Sequence, residues 1–446
     1  MFNKLFKLDE NKTDFKTELL AGITTFLAMS YILGVNPGML SATGMSLSGV
    51  FIATALASGI ACILMGLIAN YPVGLAPGMG LNALFTYTIV LGMGLSWQAA
   101  LAAVLLSSII FLIITIIGLR EAILNAIPKD LKLAIGAGIG FFLAFLGLAN
   151  AGIIISDPAT IVALGSVSSA PVLLALIGVA ITLVLYVRKI PAAVFLGLVI
   201  TAILGIIMTA LGYGAGAEAV MPAIPTEWIS FNLDFSVFGG FAQGFTELFK
   251  NIPTLIIIIF SLLFVTFFDT TGTLIPLAKE CGYEKEDGTT EGINRAFISD
   301  AIGGIVGAIF GSSTVTAYVE SATGIGLGGR TGLTAIITGI LFLLSVFIAP
   351  TILSLFTSSV TTAALVTVGI LMFVQIRDIE WDNLAIVASV FMTIIMMVLS
   401  YSISLGIAFG FITYTIVAAA TGKAKELNPL VWVLFIVFIL YLVFGL

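Results

Sequence analysis

Two stretches decide how this chain folds: Gly311-Ser-Ser-Thr-Val-Thr-Ala-Tyr318-Val-Glu320-Ser-Ala-Thr-Gly324 and its earlier counterpart, Pro72-Val-Gly-Leu-Ala-Pro77-Gly-Met-Gly80-Leu-Asn82-Ala. Each sits among apolar helices yet is bounded by helix-breaking residues. Helical runs of 13 or 14 residues fit there (77–90 and 315–327). At ~1.5 Å rise per residue these reach only ~20 Å, short of the ~30 Å hydrocarbon core of a bilayer. The rest of each crossing must be extended or irregular. Such backbone is tolerated at depth only where protein or a cavity satisfies its polar groups. Paired interrupted segments in corresponding places point to a binding site near the midplane. Tight glycine-mediated helix packing is the competing use of such sequence.

Composition supports a bilayer setting. The 446 residues are 60% hydrophobic and 9% charged, against ~25% charged in soluble domains. With 17 Lys and Arg, 23 Asp and Glu and no histidine, imidazole proton relays and histidine-ligated metals are excluded. Cys62 and Cys281 are too few for a disulfide framework. The N-terminus carries no small-residue cleavage site, so no signal peptide is expected.

Apolar runs divided by Gly, Pro and charge give fourteen spans. The first seven are 19–36, 50–70, 77–90, 99–119, 131–154, 172–187 and 192–211. The next seven are 252–277, 296–310, 315–327, 333–356, 363–376, 384–401 and 405–420, and a last apolar run covers 430–446. Cytoplasmic loops should hold the Lys and Arg. With the N-terminus inside, Lys4, Lys7, Lys12, Lys16, Arg120, Lys129, Lys132, Arg188 and Lys189 fall on that side. So do Lys279, Lys285, Arg295, Arg330, Arg377, Lys423 and Lys425; of the 17 basic residues only Lys250 lies outside. The expected fold is therefore an all-α polytopic membrane protein.

Seven crossings on each side of an outside loop put the halves in opposite orientations, the inverted repeat of many secondary transporters. Residues 1–213 form the first repeat, 214–251 an extracellular connecting segment, 252–427 the second repeat and 428–446 an extra apolar segment. At an offset of 238 residues Gly34 falls on Gly272, Tyr31 on Asp269 and Asn82 on Glu320. At 245, Gly59 and Gly66 fall on Gly304 and Gly311. Glycine-rich helices align by chance, so the topology carries this argument more than the identities do.

Three carboxylates sit well inside apolar segments: Asp269, Asp300 and Glu320. A charge at helix centre costs ~2.5–3.5 kcal/mol on insertion scales, and such residues usually face a cavity and serve function. No Lys or Arg lies deep in a span to neutralise Asp269 or Glu320. Asp300, about one and a half turns past Arg295, is as well suited to an ion pair as to a coupling role. The set accepts hydrogen bonds from N–H groups, while Asn82 donates to ring nitrogens or carbonyls. A planar heterocycle stacked near Tyr318, Phe267 or Phe268 fits; an anion is repelled. Without histidine, a titrating carboxylate is the natural proton carrier. No phosphate-binding loop of the GxxxxGK[ST] type exists, so an ion gradient is the expected energy source.

The segments GLAPGMGLNALF (74–85), FFDTTGT (267–273) and STVTAYVESATGIGLGGRTGLTA (313–335) resemble the AzgA-type purine permeases of the nucleobase–cation symporter group. The resemblance runs over essentially the whole chain. It implies a proton-coupled symporter for hypoxanthine, guanine or adenine, with no cofactor and no enzymatic or nucleic-acid role. It implies core domains of spans one to four (about 17–119) and eight to eleven (about 252–356). The gate domains would be spans five to seven (about 130–213) and twelve to fourteen (about 359–421). It also implies substrate binding by Asn82, Asp269 and Glu320, with Tyr318 beside them, and proton coupling through Asp269 and Glu320. Tyr31 and Asp300 are lesser candidates. Relatives in the wider group often carry a histidine or second acid near the span-eight acid; here the residue four past Asp269 is Thr273.

Alternatives are a uracil- or xanthine-type permease, a sulfate-permease-like anion transporter that the two acids oppose, or a passive channel. The choice between H⁺ and Na⁺ and the preferred purine stay open at this stage. Small-residue stretches in the gate spans permit a homodimer, and the expected location is the plasma membrane.

Overall fold

A computed structural model describes residues 2–119, 128–214, 216–217, 220–284 and 290–444. Arg120 and Lys285 of the basic set lie outside the described residues, as do 215, 218 and 219 of the connecting segment and 445–446 of the C-terminal segment. Eleven of the described helices are long and apolar enough to cross a membrane. Three shorter apolar helices, Met79–Gly92, Leu384–Leu399 and Pro429–Val443, accompany them. The chain is a helical polytopic membrane protein.

Within this helical architecture the described residues include two small antiparallel sheets. At the centre, β1 (Leu75–Pro77) pairs with β4 (Val315–Ala317), in the register Leu75↔Ala317, Ala76↔Thr316 and Pro77↔Val315. These are the extended parts of the two interrupted segments. The other sheet joins β2 (Ile154–Asp157) to β3 (Ile161–Leu164) in an exposed hairpin. The helix expected over 131–154 stops at Asn150, and the hairpin takes up its last residue.

The central crossing satisfies its own backbone. Gly78 N–H donates to Thr314 O (2.9 Å) and Tyr318 N–H to Gly74 O (3.0 Å). Gly74 N–H donates to Ser321 Oγ (3.0 Å) and Leu75 N–H to Cys62 Sγ (3.0 Å). Both strands are fully buried, so these bonds replace those that water cannot make. Each strand follows a helix stopped by a left-handed residue, Asn70 (φ 56) before β1 and Gly311 (φ 89) before β4. Each leads into a short helix, Met79–Ala83 after β1 and, beyond a 3₁₀ turn at Val319–Ser321, Ala322–Gly326 after β4.

The first long segment is also broken, into Phe15–Met29 and Ile32–Leu40. Its first turn holds Glu18, which is fully buried. Glu18 accepts from Arg330 N–H (2.8 Å), Thr334 N–H (3.1 Å) and Thr334 Oγ1 (2.6 Å), and so caps the Gly332–Ser345 helix. That helix crosses Leu47–Leu64 and its continuation backbone to backbone. A methyl built on Gly332 would lie 2.2 Å from Gly66 O, which is why neither position takes a side chain.

The connecting segment ties two helix N-termini together. Asp234 accepts from Ser46 Oγ (2.5 Å) and Ser48 Oγ (2.7 Å), and Glu247 accepts from Ser96 N–H (3.0 Å) and its hydroxyl. Ser46 caps Leu47–Leu64 and Ser96 caps Trp97–Ile116, so both acids face the positive ends of helices. The Ser46 hydroxyl, with Ser236 and Ser48, holds the Asp234 carboxyl well below the usual carboxylate range. Hydrogen bonds from Ser96 lower Glu247. The C-terminal helix Pro429–Phe444 packs Phe438 against Phe411 (5.2 Å between centroids) and Phe264 (5.4 Å).

Candidate functional site

The strand crossing sets the position of every candidate side chain. Glu320 lies in the 3₁₀ turn after β4, 7% exposed. Tyr31, at the break in the first segment, donates its hydroxyl to Glu320 Oε1 at 2.5 Å. Tyr318 donates to Pro77 O at 2.5 Å, pinning its ring to the end of β1, 6.4 Å from that of Tyr31. Asp269, midway along Ile252–Glu280, is close enough to Glu320 and Asp300 for their charges to interact. A methyl built on Gly78 would stand 3.2 Å from Asp269 Oδ2. The tighter contact is with Thr316 Cγ2, at 2.7 Å, so a side chain at 78 would press on β4 as well as on this carboxylate. Tyr31, Asp269, Tyr318 and Glu320 thus form one group.

Among the described residues, no side-chain hydrogen bond joins Asn82 to that group. Like Glu320 it follows its strand within about one turn, but its amide turns toward the start of β4. Ser313 Oγ donates to Asn82 Oδ1, and Asn82 Nδ2 has no partner although the residue is fully buried. The free half of this amide is therefore its donor.

Asp300 does not spend its buried carboxylate at the edge of the fold. It is 1% exposed and accepts from Thr270 Oγ1 (2.7 Å), Thr316 Oγ1 (3.1 Å) and Ala317 N–H (2.8 Å). Those bonds fasten β4 to the helix that carries Asp269. Phe267 and Phe268 are turned into helix packing, on Phe111 (6.3 Å) and Phe264 (4.6 Å) respectively. Thr273 is 9% exposed.

Among the described residues, neither Asp269 nor Glu320 has an ion-pair partner. No group of three or more Cys, Asp or Glu among them could hold a metal ion. Chemically, the arrangement offers an acceptor edge (Glu320, Asp269), an aromatic wall (Tyr31, Tyr318) and a separate amide donor.

Two buried polar residues escape a sequence reading. Glu18 directly precedes the run that registers as apolar, so a boundary drawn at residue 19 leaves it outside. Asn36 falls at the end of its span, where Asn commonly marks a helix terminus; it is in fact fully buried within Ile32–Leu40. Two short β-branched runs on either side of Ser156-Asp157-Pro158 are the available signal for the hairpin.

Residues 16–409 match the Permease family (Xan_ur_permease). The guanine/hypoxanthine permease PbuG of Bacillus subtilis (strain 168) is 45% identical over 452 residues, covering 98% of this chain and 99% of that protein. The adenine permease AdeP of Escherichia coli (strain K12) is 39% identical over 444 residues, covering 100% of this chain and 96% of that protein. Among solved structures, the transmembrane domain of the cyanobacterium bicarbonate transporter BicA superposes with a TM-score of 0.63 at 17% identity, covering 87% of this chain and 97% of that one. At that identity the likeness is one of fold alone.

Proposed function

The chain belongs to the Permease family, and from that membership we propose that it is a proton-coupled symporter carrying purine nucleobases into the cell by alternating access. Hypoxanthine, guanine and adenine are the substrates considered, and the plasma membrane is the location, with the N-terminus cytoplasmic. The proposed architecture is fourteen crossings in two inverted repeats, with core spans one to four and eight to eleven moving against gate spans five to seven and twelve to fourteen. The placing of nearly all basic residues on one side supports the orientation.

The observation that carries the reading is the grouping of Glu320 and Asp269 beside the β1–β4 crossing, with no cationic side chain paired to either among the described residues. A purine presents N–H donors along one edge and ring nitrogens or a carbonyl along another. Glu320, oriented by Tyr31, takes the N–H edge; Asp269 shares the substrate and carries the coupled proton; Asn82 offers Nδ2 to an acceptor. An unpaired carboxylate is expensive at membrane depth, so the core crosses most cheaply with a proton on the site. Proton binding and substrate binding are then linked. The fold likeness to a bicarbonate transporter does not extend to this chemistry, because two acids disfavour an anion.

Labelled hypoxanthine, guanine and adenine would be offered to proteoliposomes with an inward proton gradient, an inward Na⁺ gradient or none. The expected result is accumulation of at least one purine driven by the proton gradient. Failure of every nucleobase to accumulate sinks the proposal, and accumulation driven by Na⁺ alone reassigns the ion. Glu320→Ala should lose binding, and Asp269→Asn should keep some binding while losing gradient-driven accumulation.

A further inference from the structure

Asn36 has no exposed surface, and its amide nitrogen makes two contacts: Nδ2 donates to Thr54 Oγ1 (2.7 Å) and to Ser312 Oγ (3.0 Å). Its Oδ1 has no partner. An unpaired buried carbonyl is costly, and an apolar residue of similar size would avoid it, so packing alone does not account for the amide. Thr54 gives its own hydrogen to Val50 O (2.6 Å), which leaves its oxygen to receive Asn36.

The other recipient is the informative one. Ser312 opens the irregular stretch between Gly311 and β4, anchored by its own N–H on Gly307 O (2.8 Å). The next residue, Ser313, donates to Asn82 Oδ1. A chain of contacts therefore runs from the second long segment (Thr54) through the first (Asn36) to the loop before β4, and from there to the amide of Asn82. At its end Asn82 Nδ2 is buried and unpartnered, and the Thr86 hydroxyl one turn further along is unpartnered too. Two buried polar groups left open side by side mark a place for a polar ligand rather than a packed core.

We propose that Asn36 is a positioning residue for the purine site. By holding Ser312 it places Ser313, and Ser313 fixes which end of the Asn82 amide is presented, so that Nδ2 donates to a ring nitrogen or carbonyl of the base. The inference rests on the reading of Asn82 as a substrate contact.

The test compares Asn36→Leu, Ser313→Ala, Asn82→Ala and the double variant Asn36→Leu/Ser313→Ala for hypoxanthine uptake. Each single variant should raise KM by about 5- to 10-fold, the loss of roughly one hydrogen bond, with the maximal rate little changed. The double variant should be no worse than the worse single one, because both break one chain. Multiplied KM effects in the double variant overturn the proposal. So does a fall in maximal rate at unchanged KM. Should Asn36→Leu not reach the membrane, Ser312→Ala removes the same contact from its other side and decides in its place. If Asn82→Ala leaves KM unchanged, the site reading itself fails. If Asn82→Ala raises KM while Asn36→Leu and Ser313→Ala do not, only this inference fails.

Discussion

Replacing Tyr31 by phenylalanine removes one oxygen atom and adds nothing. The Tyr31 side chain is 1% exposed and its hydroxyl gives Glu320 Oε1 a hydrogen bond at 2.5 Å, so Phe occupies the same space without strain. What is lost is a donor to a carboxylate. Hydrogen bonds to charged groups contribute about 1.5–3 kcal/mol. Without bound base, water reaching Glu320, which is 7% exposed, can take over part of that role. In the loaded site the base excludes it, so most of the loss falls on the complex. The expected consequence is a KM for hypoxanthine raised by about 10- to 150-fold, the same energy expressed as affinity. Thermal stability should change little. Uptake of labelled hypoxanthine over a concentration series, with the melting temperature measured on the same preparation, checks both parts. An unchanged KM would show that Tyr31 does not support Glu320 in the complex. A lowered KM would show that the tyrosine competes with substrate for the carboxylate, and either result refutes the assignment.

Other perturbations test the frame around the site. Glu18→Ala removes the acceptor for three hydrogen bonds in a fully buried place; a loss of about 3 kcal/mol is expected, seen as a lower melting temperature, with Glu18→Gln intermediate. Gly332→Ala drives a methyl into backbone atoms of Gly66, the nearest at 2.2 Å, and should cost about 1–3 kcal/mol or more. Gly38→Ala meets nothing within 4 Å and should be tolerated in the same melting assay. Asp234 predicts a pH dependence: its carboxyl is depressed in the fold, first by Ser46. Its contribution is therefore full above the ordinary value of about 3.9 and declines as the pH is lowered from there toward the folded value. Melting curves between about pH 6 and pH 3 should fall less steeply in Ser46→Ala/Ser48→Ala than in the parent protein; parallel curves would count against that role.

Likeness to a bicarbonate transporter in fold, and to purine permeases in sequence, separates scaffold from chemistry. The strand crossing is an answer to backbone burial, and nothing in its hydrogen bonds selects a substrate. Under the proposed function, selection would fall to a few side chains around it: Glu320, Asp269, Tyr318 and Asn82 in this chain. Asp300 belongs to both levels, since its contacts with Thr270, Thr316 and Ala317 N–H hold β4 against the helix bearing Asp269.

The sequence by itself determined the membrane setting, the segments too short to cross as helix, and the carboxylates worth watching. Those follow from local quantities: apolar run length, the positions of Gly and Pro, and the rarity of charge in apolar surroundings. It did not determine that the interrupted segments meet as an antiparallel pair, because β1 and β4 lie about 240 residues apart and carry no periodicity of their own at three residues each. Nor did it reveal that Asn82 faces Ser313, that Tyr31 serves Glu320, or that Asp300 braces β4. The first two join residues 231 and 289 positions apart and the third joins neighbouring elements across a turn; all are fixed by how helices with glycine faces pack. Whether a buried polar group is a ligand, a brace or a cap depends on what stands opposite it, and only the tertiary structure supplies that partner.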